Sequence, residues 1–120
     1  MNRTRELEID GESLSERRVV LALKGRLDAL TALELKEAMA ERVDAGQVEL
    51  VVDLSGVPFI DSSGLAALVS GLKAARQAGG SLKLAGLNEQ ALTVLRLTRL
   101  DRVFALYADR AAALGALKDG

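Results

Sequence analysis

The run Val48-Glu49-Leu50-Val51-Val52-Asp53-Leu54 constrains this chain more than any other feature. It is almost continuously apolar and rich in valine, whose branched Cβ suits extended backbone. It is also too short for a typical helix. A strand of this kind is buried on both faces, so it reads as a central strand with a parallel neighbour. Helices must then cover both faces of the sheet, and the rest of the chain supplies helical patterns.

Strand and helix signals alternate along the sequence, which predicts an α/β fold. Leu7 and Ile9 alternate with charged residues, Asp10-Gly11-Glu12 reads as a turn, and Val19 to Leu23 reads as the second strand of a hairpin. Arg17 and Arg18 read as part of a solvated turn. Thr31 and Glu34 have capping-box spacing. Leu35, Ala38, Met39 and Val43 then recur at helical spacing up to Gly46. After the Val48 strand, Gly56-Val57-Pro58 breaks the pattern and a second helix starts at Asp61 or Ser62. Its buried stripe is Leu65, Leu68, Val69, Leu72 and Ala75, and Gly79 ends it. Leu82 and Leu84 belong to a short strand, and Asn88 caps a third helix. Val103 to Leu106 is a weak last strand, and Asp109 caps a final helix. No linker or repeat divides residues 1–120, so one domain is expected.

Composition excludes several functions. The chain of 120 residues has no Cys and no His, which removes thiol nucleophiles, disulfides and Ser-His or Cys-His catalysis. Its 16 basic residues are balanced by 17 acidic ones, so no general attraction to nucleic acid or an anionic membrane is expected. The aromatic residues are Phe59, Phe104 and Tyr107, too few for a base-stacking platform. No apolar stretch is long enough to span a membrane, and Met1 to Asp10 lacks the apolar core of a signal peptide. The expected location is the cytoplasm, without membrane insertion.

The stretch with most chemical content is Asp61-Ser62-Ser63-Gly64-Leu65, placed where a buried strand hands over to a helix. First-turn N–H groups have no intrahelical partner, and the helix dipole adds partial positive charge. Oxygen-rich side chains are welcome there, and so is a phosphate. On these residues alone, Asp61, Ser62 and Ser63 can simply cap the helix, and capping does not exclude regulation. A nucleophile elbow needs Gly-x-Ser-x-Gly, but Ile60 stands where the first Gly should be. Phosphate-cradling glycine loops of either common pattern are absent. No enzyme is expected, and neither a cofactor nor a metal is called for.

Three stretches together resemble the STAS domain family, and more narrowly the bacterial anti-sigma factor antagonists. They are Gly25-Arg26-Leu27-Asp28 followed by Thr31-Ala32, the segment Asp53 to Leu65, and Leu95 to Tyr107. The resemblance implies a single domain with a mixed central β-sheet flanked by helices. It also implies a switch. The unphosphorylated antagonist binds an anti-sigma factor that is itself a serine kinase, and so releases the sigma factor. The kinase inactivates its antagonist by phosphorylating a serine, and a metal-dependent serine phosphatase reverses this. Carried onto this sequence, the phosphorylated residue is Ser62, with Ser63 as the other candidate. Asp61, Ser63 and Gly64 match the neighbouring motif positions, and Asp28 matches an acidic residue near the site; these four are expected at the partner-binding face. Gly64 is expected to let a partner backbone approach closely. Arg99 departs from the pattern, because the family often has Gly there, and this leaves the turn before Leu100 open. The same resemblance allows a different role, as a subunit of a lipid-transport ABC system or of a signalling scaffold.

Overall fold

The computed structural model describes residues 7–117. The valine-rich run forms β3 (Glu49–Gly56), in the middle of a five-stranded sheet ordered β1-β2-β3-β4-β5. β2 (Arg18–Gly25) and β4 (Ser81–Ala85) flank it in parallel. β1 (Leu7–Ser13) is antiparallel to β2, and β5 (Ala105–Tyr107) is parallel to β4. The sheet is therefore mixed, with its one antiparallel pair in the N-terminal hairpin.

Side chains along a strand alternate between faces, and β3 shows what covers each. Leu50, Val52 and Leu54 pack into the main aliphatic core with Leu35, Met39, Leu65, Leu68, Leu72 and Leu95. Those partners come from α1 (Ala32–Asp44), α2 (Ser62–Gln77) and α3 (Glu89–Leu97). On the opposite face Val51 joins a small cluster with Val20, Ala85 and Ala113, the last from α4 (Arg110–Gly115). Both faces of β3 are covered, as a continuous apolar run requires. The stripe of α2 is buried at Leu65, Leu68, Leu72 and Ala75. Val69 is half-buried at its margin.

Four expectations are corrected. Asp10-Gly11-Glu12 is not the hairpin turn but lies within β1, paired with Ala22, Leu21 and Val20. The chain turns at residues 14–17, closed by Leu14 N–H donating to Arg18 O at 2.8 Å. The Arg42 guanidinium lies over Gly11, where a Cβ would run into it. Arg18 is a strand residue, not part of a solvated turn: its Nε donates to Glu49 Oε1 at 2.8 Å across the β2–β3 pair. Thr31 makes no cap hydrogen bond with its side chain. Its hydroxyl donates to Arg26 O at 2.9 Å and accepts from Asp28 N–H at 3.0 Å, so the preceding loop uses it. Finally, the last strand begins at Ala105, after a single 3-10 turn at Leu100–Arg102.

The turn before Leu100 is made without glycine. Arg99 itself adopts the left-handed conformation at φ 65°, a region costly for a residue with a Cβ.

Candidate functional site

The connection from β3 to α2 carries the site. After Gly56 the chain leaves the sheet, and segment 57–61 is held from two sides. On one side Leu27 makes an isolated parallel bridge with Ile60. Leu27 N–H donates to Phe59 O at 3.0 Å, and Asp61 N–H donates to Leu27 O at 3.1 Å. On the other side lie two side chains from the start of α3. Asn88 Nδ2 donates to Pro58 O at 3.1 Å. Gln90 Oε1 accepts from Ile60 N–H at 2.9 Å, and Gln90 Nε2 donates to Ile60 O at 2.7 Å. Every contact is to backbone, so the path of the chain into α2 is fixed whatever side chains it bears.

Asp61 sits in extended conformation as the N-cap of α2, and its Oδ1 accepts from Gly64 N–H at 3.0 Å. The capping expectation for Asp61 therefore holds. Ser62 is exposed and Ser63 half-buried in the first turn, while Gly64 is fully covered. The close approach that Gly64 permits is internal: a Cβ there would lie 2.6 Å from Leu27 O and 2.7 Å from Leu27 Cγ. The glycine thus lets α2 dock against the Leu27 loop, and this accounts for it without a visiting partner.

Asp28 is placed beside the junction by the Leu27–Ile60 bridge, but its carboxylate is occupied. Oδ1 accepts from Leu30 N–H at 3.0 Å, and Oδ2 accepts from Arg26 Nε at 3.3 Å. Arg26 in turn lies over the Phe59 ring, 4.3 Å from its centroid. The structure thus brings Asp28 and Asp61 to one neighbourhood, with one neutralised by Arg26 and the other spent on the cap. Asp61 keeps its negative charge, held against the positive end of α2.

The surface around Ser62 is shallow and largely apolar. Ser62 borders a depression with Leu65, Val69, Lys73 and Leu100. Ser63 borders a second, with Leu33, Lys36 and Ala66, between α1 and α2. Leu33, which lines the depression beside Ser63, is 63% exposed. Among the described residues no group of acidic side chains is gathered as a metal site would require.

The sequence reading missed Gln90, Arg26–Phe59 and Asp53. Asp53 is a carboxylate in a buried strand and is only 7% exposed. Burial raises its pKa, but hydrogen bonds from Ser55 and Arg110 outweigh this and hold it below the ordinary value of 3.8. Arg110 Nε lies 2.9 Å from Asp53 Oδ2. A charge inside an otherwise apolar run is itself the signal that a cation must come from elsewhere.

A family model described as "Mlab, STAS domain" matches residues 11–108. The chain belongs to the STAS domain family. Curated STAS relatives are named as antagonists of anti-sigma factors. The anti-sigma-F factor antagonist RsfB of Mycobacterium tuberculosis is 33% identical over 103 residues, covering 84% of this chain and 82% of that one. The anti-sigma-B factor antagonist of Bacillus subtilis is 29% identical over 94 residues, covering 78% and 85%. An anti-sigma factor antagonist from Mycobacterium paratuberculosis, known from its crystal structure, superposes with a TM-score of 0.84 at 28% identity, covering 94% and 95%. The mixed sheet and flanking helices of this STAS domain are thus those of solved relatives. No helix among the described residues is long and apolar enough to cross a membrane.

Proposed function

We propose that this STAS domain is a cytoplasmic anti-sigma factor antagonist that docks through the face around Ser62 and is switched by phosphorylation there. In the unphosphorylated state it binds an anti-sigma factor that is itself a serine kinase, and the sigma factor is set free. Phosphate on Ser62 ends the interaction, and a metal-dependent serine phosphatase restores it. The chain acts as a binding module and not as an enzyme. The supporting observation is an exposed serine in the first turn of α2, bordering a shallow, largely apolar depression with Leu65, Val69 and Leu100.

The mechanism is electrostatic. A phosphate adds about -1.5 to -2 charges at neutral pH. The helix N-terminus tolerates it, so α2 persists. In a docked interface the same charge must be desolvated among apolar groups. A penalty of about 3 kcal/mol weakens binding more than a hundredfold. Asp28 is paired with Arg26, whereas the Asp61 carboxylate beside Ser62 keeps its charge, so repulsion from Asp61 adds to the cost of desolvation.

The experiment is calorimetric titration with the anti-sigma-F factor of M. tuberculosis, the target named for the RsfB relative. Ser62→Ala should bind as tightly as the unmodified chain, and Ser62→Asp at least tenfold more weakly. Equal affinity of the two variants contradicts the switch.

A further inference from the structure

The geometry points to Gln90 as the positioning residue that holds the Ser62 hydroxyl in its docking geometry, although Gln90 belongs to another helix and lies outside the Ser62 motif. Building on the docking role given to Ser62 above, this adds a residue through which that site is controlled.

Ile60 stands two residues before Ser62, at the last point before Asp61 caps α2. Its N–H and its C=O are both taken by the one carboxamide of Gln90, at 2.9 Å and 2.7 Å. A carboxamide fits this pair of groups in one orientation only, with oxygen toward the N–H and nitrogen toward the C=O. The contact imitates the doubly bonded pair of an antiparallel ladder, where β3 has already left the sheet. Asn88 adds a second hold, capping α3 through Ala91 N–H at 2.9 Å while donating to Pro58 O at 3.1 Å. Two side chains in the first turn of α3 therefore set where α2 begins.

The alternatives at this position differ in kind. Leu27 holds the neighbouring groups of Phe59 and Asp61 by backbone, which no side-chain substitution can remove. Gln90 is a side-chain hold, and so is open to change. Ile60 is 1% exposed and packs in the main aliphatic core, a contact that does not involve the Gln90 carboxamide, so the fold should survive its loss. What loosens is the peptide path into the first turn of α2. A docking face built on that turn must then be reordered when a partner binds, which weakens affinity.

The test uses Gln90→Ala, which removes both bonds, and Gln90→Glu, which keeps an acceptor for the N–H but sets a carboxylate oxygen against the C=O. Amide hydrogen exchange by NMR reads the hold directly. In Gln90→Ala the Ile60 amide should exchange roughly tenfold or more faster, while Val51 and Val52 in β3 exchange at their original rates. Gln90→Glu should fall between. Affinity for the anti-sigma-F factor of M. tuberculosis, measured by calorimetry, should drop roughly tenfold in Gln90→Ala, the equivalent of about 1.4 kcal/mol of reordering on docking. Unchanged exchange at Ile60 overturns the assignment, and so does faster exchange at Ile60 with undiminished affinity. Uniformly faster exchange across β3 also overturns it, since Gln90 would then be a general stabiliser. If the unmodified chain does not bind this probe, the docking role of the preceding section fails for that partner, and exchange at Ile60 still decides whether Gln90 fixes the junction.

Discussion

The two faces of the sheet are built on different physics. On one, α1, α2 and α3 close over a continuous layer of leucine, valine and methionine, with Leu35, Met39, Leu50, Leu68 and Leu95 all at 0% exposure. On the other, α4 covers a small cluster of Val20, Val51 and Ala85 with Tyr107 packed against it, and an ion pair between Asp53 and Arg110 clips it down. The first face draws its stability from apolar burial, which does not depend on pH. The second uses a charge whose worth does. The candidate site rides on the outer surface of the first face, above the aliphatic core.

Substitutions can break this contrast, beginning with the largest effect. Leu68→Ala removes a fully buried side chain beneath α2 and should cost about 3 kcal/mol of unfolding free energy in urea titration. Gly64→Ala sets a Cβ against the backbone of Leu27, which cannot swing aside. A loss of about 2 kcal/mol is expected, read in the same titration. Arg110→Ala on the opposite face should cost only about 1 kcal/mol, because Arg110 is 40% exposed and solvent screens the pair.

The pH dependence of that last variant sharpens the comparison. Asp53 has a folded pKa below its ordinary 3.8, so its contribution is complete above that value and is lost as pH falls through the folded value. The gap between Arg110→Ala and the parent chain should therefore be constant near neutrality and close below about pH 4. The deficit of Leu68→Ala should show no such closing. A gap for Arg110→Ala that stays open in acid contradicts the role of the ion pair. Smallest of all, Ser62→Ala should change stability by less than about 0.5 kcal/mol, since the exposed hydroxyl is not the cap.

The sequence exposed what depends on local spacing. The Val48 strand, the stripe of α2 and the caps Asp61, Asn88 and Asp109 were legible because apolar period and cap chemistry act within a few residues. Misreadings arose where a residue answers to something distant. Gly11 looks like a turn residue, but it lies within β1 opposite Leu21, with the Arg42 guanidinium of α1 over it. Thr31 and Glu34 have the right spacing for a capping box, yet Arg26 O and Asp28 N–H claim the hydroxyl. Gly64 has the same kind of reason in Leu27, more than thirty residues upstream. Gln90 gives no local signal at all, since its partner Ile60 is 30 residues away and is bound through backbone. Ser62 and Asp28 became candidates through the resemblance to the STAS family, whereas Leu27 and Gln90, which hold the junction beside them, are visible only in the fold.

The decisive measurement is the affinity of chain carrying phosphoserine at position 62 for the anti-sigma-F factor of M. tuberculosis, set against the unmodified chain in the same calorimetric titration. The account predicts binding by the unmodified chain and a loss of more than a hundredfold on phosphorylation, with the amide spectrum of β3 and α2 otherwise preserved. Equal affinity for both forms would contradict it.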